Sequence, residues 1–130
     1  MRSDRDKELS VSEQEARVGL IGFRYIMEQW QCTVEEQQQL LSLDADTFQV
    51  LQSQASPKMP DDVLMRISYL MGIYRALNTL YPTEERAAGR IRLPTTDEPF
   101  CGRSALNFML THSLEGMALT RRYLDWIAQA

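Results

Sequence analysis

The longest regular pattern of apolar side chains lies in the middle of the chain. Apolar residues recur there at steps of three and four, the spacing of one face of an α-helix; they are Leu64, Ile67, Leu70, Met71, Tyr74, Leu77 and Leu80 or Tyr81. We expect Asp61 or Asp62 to cap this helix and Pro82 to end it, because proline has no N–H to continue the hydrogen-bond ladder. The pattern predicts a long amphipathic helix at the centre of the fold.

Three shorter helical patterns precede it, and two of them begin with a capping box. In this motif a hydroxyl binds one free backbone N–H and a glutamate three positions later binds another. The box at Ser12–Glu15 predicts a first helix over about residues 11–29, and the box at Thr33–Glu36 predicts a second over residues 33–41. Asp44 can cap a third helix.

Proline and glycine divide the chain into two parts. Pro57 and Pro60 make the stretch from Ala55 to Pro60 a connector, because each proline removes a donor and extends the residue before it. We therefore expect an amino-terminal lobe over residues 1–58 and a carboxy-terminal lobe over residues 59–130.

The carboxy-terminal lobe continues with further helical segments. A brief helix should begin at Thr83, followed by an irregular connection over residues 90–102, where Pro94, Pro99 and Gly102 lie. Two last helices are predicted over residues 103–111 and 114–128. The fold class is all-α, with about seven helices.

Composition and charge change this picture in one respect. The 130 residues suit one compact unit or two small helical lobes that share a core. The net charge of −4 is uneven, because residues 28–62 carry seven acidic side chains against Lys58 alone, whereas residues 63–130 carry eight arginines against six acids. A partner that binds the amino-terminal lobe therefore meets a negative surface.

Candidate chemistry is sparse. Cys32 and Cys101 form no CxxC motif and are expected to be reduced and partly buried, and the single histidine, His112, is expected at a helix break or on the surface. No motif of a nucleotide-binding loop, zinc protease or serine hydrolase occurs. We expect no enzyme activity, no metal, no cofactor and no membrane span, and a cytoplasmic location.

Three segments, in this order, resemble one protein family. Residues 26–48 resemble an amino-terminal helix-turn-helix, residues 66–77 resemble a central helix, and residues 99–106 with Gly116 and residues 122–124 resemble a carboxy-terminal toxin-binding domain. Together they are similar to the Xre/MbcA/ParS-like antitoxins. Nearly the whole chain is covered by the resemblance.

The resemblance implies a function in a type II toxin–antitoxin system. The implied partner is a RES-type toxin that consumes NAD, which the antitoxin inhibits by covering the toxin's NAD pocket with its carboxy-terminal region. The residues that this places in the contact zone are Phe100, Gly102, Arg103, Arg121, Arg122, Tyr123, Trp126 and Ala130. Arginine, tyrosine and tryptophan are also the side chains most enriched in binding hot spots.

Structural alternatives exist for several of these side chains. Tyr123 and Trp126, at i and i+3, can simply pack the last helix on the core, and Phe100 can fill the core beside a turn at Gly102. Arg121 and Arg122 can form a solvated helix face.

The helix-turn-helix suggests a second function, an operator-binding autorepressor that acts as a monomer or a homodimer. Its candidate DNA contacts are Thr47, Gln49 and Gln52. However, residues 44–54 contain no basic side chain, and neutralisation of phosphates supplies most non-specific DNA affinity. Ser42 also replaces a glycine that the family usually has in the turn. The sequence therefore favours neutralisation of a toxin over DNA binding.

Overall fold

Six α-helices follow one another in the part of the chain that the computed structural model describes, residues 4–53 and 58–129. They are α1 (Asp4–Gln29), α2 (Val34–Leu41), α3 (Ala45–Ser53), α4 (Asp61–Leu80), α5 (Glu84–Arg90) and α6 (Ala105–Gln129). Within these residues the only strand-type pairing is an isolated bridge between Pro94 and Ser104. The all-α prediction is confirmed, as is the irregular connection that precedes α6.

The central helix α4 buries one face against the other helices. Its core residues recur at helical spacing: Val63, Ile67, Leu70, Ile73, Ala76 and Leu77. Leu64, Met71 and Tyr74 from the predicted stripe are only half-buried, on the side towards α1. The predicted apolar face therefore exists, but its centre is rotated towards Val63 and Ile73.

Short-range capping chemistry sets the start of several helices. At α2 the backbone N–H of Glu36 donates to Thr33 Oγ1 over 3.1 Å, and the N–H of Thr33 donates to Glu36 Oε1 over 2.9 Å. The N–H of Thr47 donates to Asp44 Oδ1 over 2.7 Å, and Thr83 Oγ1 accepts from the N–H of Arg86. These three predicted helix starts are confirmed.

Two other predicted starts are wrong. α1 begins at Asp4, so Ser12 lies within the helix instead of at its end; the side chain of Ser12 lies outside what the structure describes. The preceding residues are mostly strong helix formers with acids in the first turn, which extends the helix upstream. At α4 the cap position is Pro60, which makes no side-chain bond, and Asp61 and Asp62 occupy the first turn.

The two predicted last helices are both present within α6 and meet at a kink, at the position where the break was expected. Ser113 has φ 58° and ψ −135°, far from helical values. A side chain at Gly116 would put its Cβ 2.9 Å from His112 Cβ and 3.0 Å from the carbonyl oxygen of Phe108. The absence of a side chain at Gly116 therefore lets the backbone after the bend pack closely against His112 and Phe108. Ser104 caps the helix by accepting from the N–H of Asn107.

One hydrophobic core runs across the proposed lobe boundary. It includes Phe23, Trp30 and Leu40 before the connector and Leu70 and Met109 after it. Residues 54–57 of the predicted connector lie outside the described residues, and the division into two lobes stays a prediction.

Arg92 adds a polar link between the same two parts of the chain. Its Nε donates to the carbonyl of Trp30 over 2.9 Å, and one terminal nitrogen reaches Gln31 and the Glu36 carboxylate. Its hydrogen bond lowers the pKa of Glu36, which keeps the carboxylate charged.

The turn between α2 and α3 requires a left-handed residue. Ser42, the C-cap of α2, has φ 56° and ψ 43°, a conformation that glycine adopts without steric cost. Ser42→Gly is expected to raise the free energy of unfolding by about 1 kcal/mol, measured by urea denaturation.

Ser68→Gly serves as the matched control, since Ser68 lies inside α4 with helical geometry. It should lower the stability by about 0.5 kcal/mol. Equal effects of the two substitutions would contradict the assignment of strain to Ser42.

Candidate partner-binding surface

The loop before α6 is closed by its own backbone hydrogen bonds. The N–H of Gly102 donates to the carbonyl of Thr95 over 2.7 Å, and the N–H of Thr95 donates to the carbonyl of Arg103 over 3.2 Å. Gly102 has φ 94°, which side-chain-bearing residues rarely adopt. Gly102 therefore shapes the loop and leaves Arg103 exposed beside it.

Phe100 anchors this loop to α6. Its ring is 2% exposed and makes edge contacts with Phe108, at 5.3 Å between centroids, and with Tyr123, at 5.0 Å. Such geometry is favourable for aromatic pairs. Phe100 thus belongs to the core, and any contribution to binding comes from its positioning of the loop.

Tyr123 holds the same loop by a polar contact. Its hydroxyl donates to Asp97 Oδ2 over 2.5 Å. Burial and this carboxylate raise the pKa of Tyr123 to about 12, so the phenol keeps its proton. The ring of Tyr123 packs against the core and its tip fixes the loop, as the structural alternative for this residue predicted.

Trp126 has a different environment from Tyr123. Its side chain is 68% exposed, so the alternative that Trp126 packs on the core is wrong. Together with Arg121, Arg122 and Asp125 it lines a depression of about 400 Å³ on the outer face of α6. Arg121 Nε pairs with Asp125 Oδ2 over 2.9 Å.

A second depression, of about 390 Å³, lies beside the loop. Cys101, Arg103 and His112 line it together with Phe100. Cys101 is exposed, so the prediction that it is partly buried is wrong, because it sits at a positive-φ turn position instead of in the core. His112 is exposed at the bend of α6, as expected.

Cys32 is partly buried, as predicted, and both cysteines are free thiols. Burial and the nearby Glu36 carboxylate raise the pKa of the Cys32 thiol to about 11. The thiol is therefore protonated at neutral pH and is a poor nucleophile.

The predicted contact residues thus fall into two groups. Phe100, Gly102 and Arg103 belong to the loop, whereas Arg122 and Trp126 belong to the outer face of α6. Tyr123 links the groups through its contact with Phe100. Of the remaining predicted residues, Arg121 lines the outer face of α6 and also extends towards α4, whereas Ala130 lies outside the described residues.

The candidate DNA contacts lie on α3. Thr47 and Gln49 are exposed. Gln52 is half-buried and held by Arg24, whose Nε and terminal nitrogen donate to its side-chain and backbone oxygens over 2.6 and 2.5 Å. The N–H of Thr47 lowers the pKa of Asp44, so the exposed start of this helix is negatively charged.

No cluster of three histidine, cysteine or acidic side chains able to hold a metal occurs among the described side chains, those of residues 13–53 and 58–129. Among the described helices, none is long and apolar enough to cross a membrane.

One surface feature was not foreseen from the sequence, a groove of about 750 Å³ between α1 and α4. A glycine at position 72, inside α4, was the available signal, since glycine in a helix interior costs stability and often marks a close approach.

Comparison with known proteins gives one similar chain. The uncharacterized protein y4oB of Sinorhizobium fredii (strain NBRC 101917 / NGR234) is 33% identical over 118 residues, which cover 89% of this chain and 90% of the relative. No family model matches the chain. No solved structure matches it.

Proposed function

This chain belongs to the same protein family as y4oB of Sinorhizobium fredii, and we propose that it is the antitoxin of a type II toxin–antitoxin system. Its partner is a RES-type toxin that consumes NAD, and it neutralises that toxin by direct binding through its carboxy-terminal region. The chain itself contributes no catalysis and no cofactor, and it acts in the cytoplasm as a monomer or a homodimer. The resemblance described above motivates this assignment.

The observation that carries the proposal is the exposure of Trp126 beside Arg122 on the outer face of α6. An indole that is 68% exposed leaves a large apolar surface in water, and burying it in a partner is favourable. Tryptophan and arginine dominate binding hot spots because they combine large area with directional polar groups. The neighbouring pair Arg121–Asp125 supplies a polar rim.

The surface around Trp126 is also held in place before any partner arrives. Thr120 and Leu124 lie on the buried side of α6, and Tyr123 is fixed by Phe100 and Asp97. Side chains on an ordered helix lose less conformational entropy when they bind. Tyr123 also contacts the loop that presents Arg103, through Phe100 and Asp97, and this loop can extend the contact.

Operator binding is not part of this proposal and stays a prediction. The exposed face of α3 combines Thr47 and Gln49 with Asp44 and Asp46, and it carries no basic residue. Gln52 is already bonded to Arg24. A duplex approaching this face would meet the acidic side chains of Asp44 and Asp46, and the cation that contacts this helix, Arg24, is already bonded to Gln52.

Replacing the exposed tryptophan tests the proposal. Trp126→Ala is expected to weaken binding of the proposed toxin, tested as the product of the adjacent gene, by about 2 kcal/mol or more, roughly thirtyfold in Kd. Arg122→Ala should weaken it less. Binding is measured by isothermal titration calorimetry, and neutralisation by the NAD that the toxin consumes.

Val50→Ala is the matched control, because Val50 is an apolar residue of α3 that is 54% exposed. It should bind and neutralise like the unmodified chain. Unchanged affinity of Trp126→Ala would refute the role of α6, and failure of the unmodified chain to bind the toxin would refute the proposed function.

A further inference from the structure

The groove between α1 and α4 is built from two helices that run side by side in the same direction. The Cβ position of Gly19 would lie 3.6 Å from Leu64, and that of Gly22 would lie 3.2 Å from Met71. Residues later in α1 therefore contact residues later in α4, so the two helices are parallel. On α4 the groove extends from Leu64 to Arg75, which is about 16 Å or three helical turns.

The walls of the groove combine apolar side chains with the polar residues Gln14 and Ser68. Val18 is 61% exposed on the α1 side, and Leu64 and Met71 are half-buried on the α4 side. Methionine side chains adapt to different partner shapes, so such a surface suits an apolar ridge.

One end of the groove is basic. The guanidinium of Arg121 crosses from α6 onto α4, where its Nη1 takes the place that a Cβ of residue 72 would occupy. Only glycine at 72 allows this placement. Arg75 lines the same end, and its guanidinium has no bonding partner within the described residues.

The other end carries the opposite charge. Glu15 lines the groove near the start of α4, about three turns away from Arg75. The groove therefore has an apolar strip formed by Val18, Leu64 and Met71, with Ser68 beside it, positive charge at one end and negative charge at the other.

We propose that this groove docks an amphipathic helix of a partner protein, antiparallel to α4, with acidic residues in its first turn against Arg75 and Arg121. Helices commonly carry acidic residues in the first turn and basic residues in the last, because these charges complement the helix dipole. An antiparallel helix would place its acidic turn at the arginines and its basic turn at Glu15. Its apolar ridge would cover Val18, Leu64 and Met71, the arrangement of helix-in-groove recognition.

This docking surface is separate from the one proposed for toxin neutralisation. Trp126 and Arg122 do not line the groove, and only Arg121 lies at both. The two proposals can therefore fail independently, and Arg75 and Val18 are the residues to change.

The probe is a fluorescein-labelled 16-residue amphipathic peptide with leucines at three- and four-residue spacing. One version has two aspartates in the first turn and two lysines in the last, and a second version exchanges these charges. Fluorescence anisotropy with the full chain is expected to show at least about tenfold tighter binding of the first version at low salt. Arg75→Glu should remove or reverse this preference, and Val18→Glu should weaken both peptides.

Arg86→Glu is the matched control, because Arg86 is an exposed arginine of α5 outside the groove. It should keep the preference of the unmodified chain, and circular dichroism should show all three variants folded. Absence of peptide binding, equal binding of the two versions, or an Arg75→Glu variant that behaves like Arg86→Glu would overturn the proposal.

Discussion

Replacing Phe100 with alanine is expected to lower the free energy of unfolding by about 3–5 kcal/mol, the range for large buried aromatic side chains. The ring is 2% exposed and packs edge-on against Phe108 and Tyr123, so its removal leaves a cavity between the loop and α6. Tyr123 would then lose its ring partner while keeping its bond to Asp97. The loop should become sensitive to proteolysis before the rest of the chain unfolds.

Urea unfolding followed by circular dichroism measures this loss, and two conservative variants separate its causes. Phe100→Leu keeps most of the apolar volume and should cost less than the alanine variant. Tyr123→Phe removes only the hydroxyl that binds Asp97 and should cost about 1 kcal/mol. If Phe100→Ala cost no more than Tyr123→Phe, the loop would not be anchored by packing.

The same substitution should weaken binding of the proposed toxin without removing an exposed contact. Phe100 positions the loop that presents Arg103 and steadies the helix that presents Trp126. Binding by Phe100→Leu should lie between that of the alanine variant and that of the unmodified chain.

Replacing Arg66 with alanine should cost about 2–4 kcal/mol of stability, because buried polar groups would be left without a hydrogen-bond donor. Arg66 is 7% exposed and joins three elements: Nε pairs with Asp62 over 3.0 Å, and Nη1 donates to the carbonyl of Leu40 and to Ser113 Oγ. The contact with Ser113 lies at the bend of α6, and the Leu40 carbonyl lies near the end of α2. Without the guanidinium both oxygens lose a donor in a mostly apolar setting.

Single changes at its partners should be milder. Asp62→Asn should change stability by less than about 1 kcal/mol, since its carboxylate is half-exposed and screened by water. Ser113→Ala removes one acceptor and should cost about 1 kcal/mol. Arg66→Lys keeps the charge but cannot reach all three partners at once, so its loss should be intermediate. A larger effect of Asp62→Asn than of Arg66→Ala would show that charge pairing dominates.

Local chemistry explains why much of the fold was predictable. The capping residues Thr33, Asp44 and Thr83 act within one helical turn, so their roles follow from neighbours in the sequence. The break inside α6, at Ser113, was also predicted. The predicted start at Ser12 failed because a capping sequence permits a helix to start but does not stop a helix that begins upstream. The predicted start at Asp61 or Asp62 failed because such residues do not exclude Pro60 from the cap position.

The candidate binding surface was predictable in composition but not in arrangement. The tail residues were identified by residue type and by resemblance, and neither distinguishes Tyr123, which packs inwards, from Trp126, which faces water. Helical spacing places them three residues apart, on neighbouring parts of one surface. Their different burial depends on the loop that Phe100 brings against α6.

The sequence by itself determined the helical class and most helix starts. It also determined the acidic character of the α2–α3 region and the cluster of arginine and aromatic residues near the carboxy terminus. These properties depend on periodicity, capping and composition, which act over a few residues or need no contacts at all. Only the tertiary structure decided that Trp126 is exposed, that Arg66 links α2, α4 and α6, and that Arg121 lies across Gly72 at the end of a groove. Each of those depends on the approach of segments tens of residues apart, which packing fixes and a one-dimensional pattern does not encode.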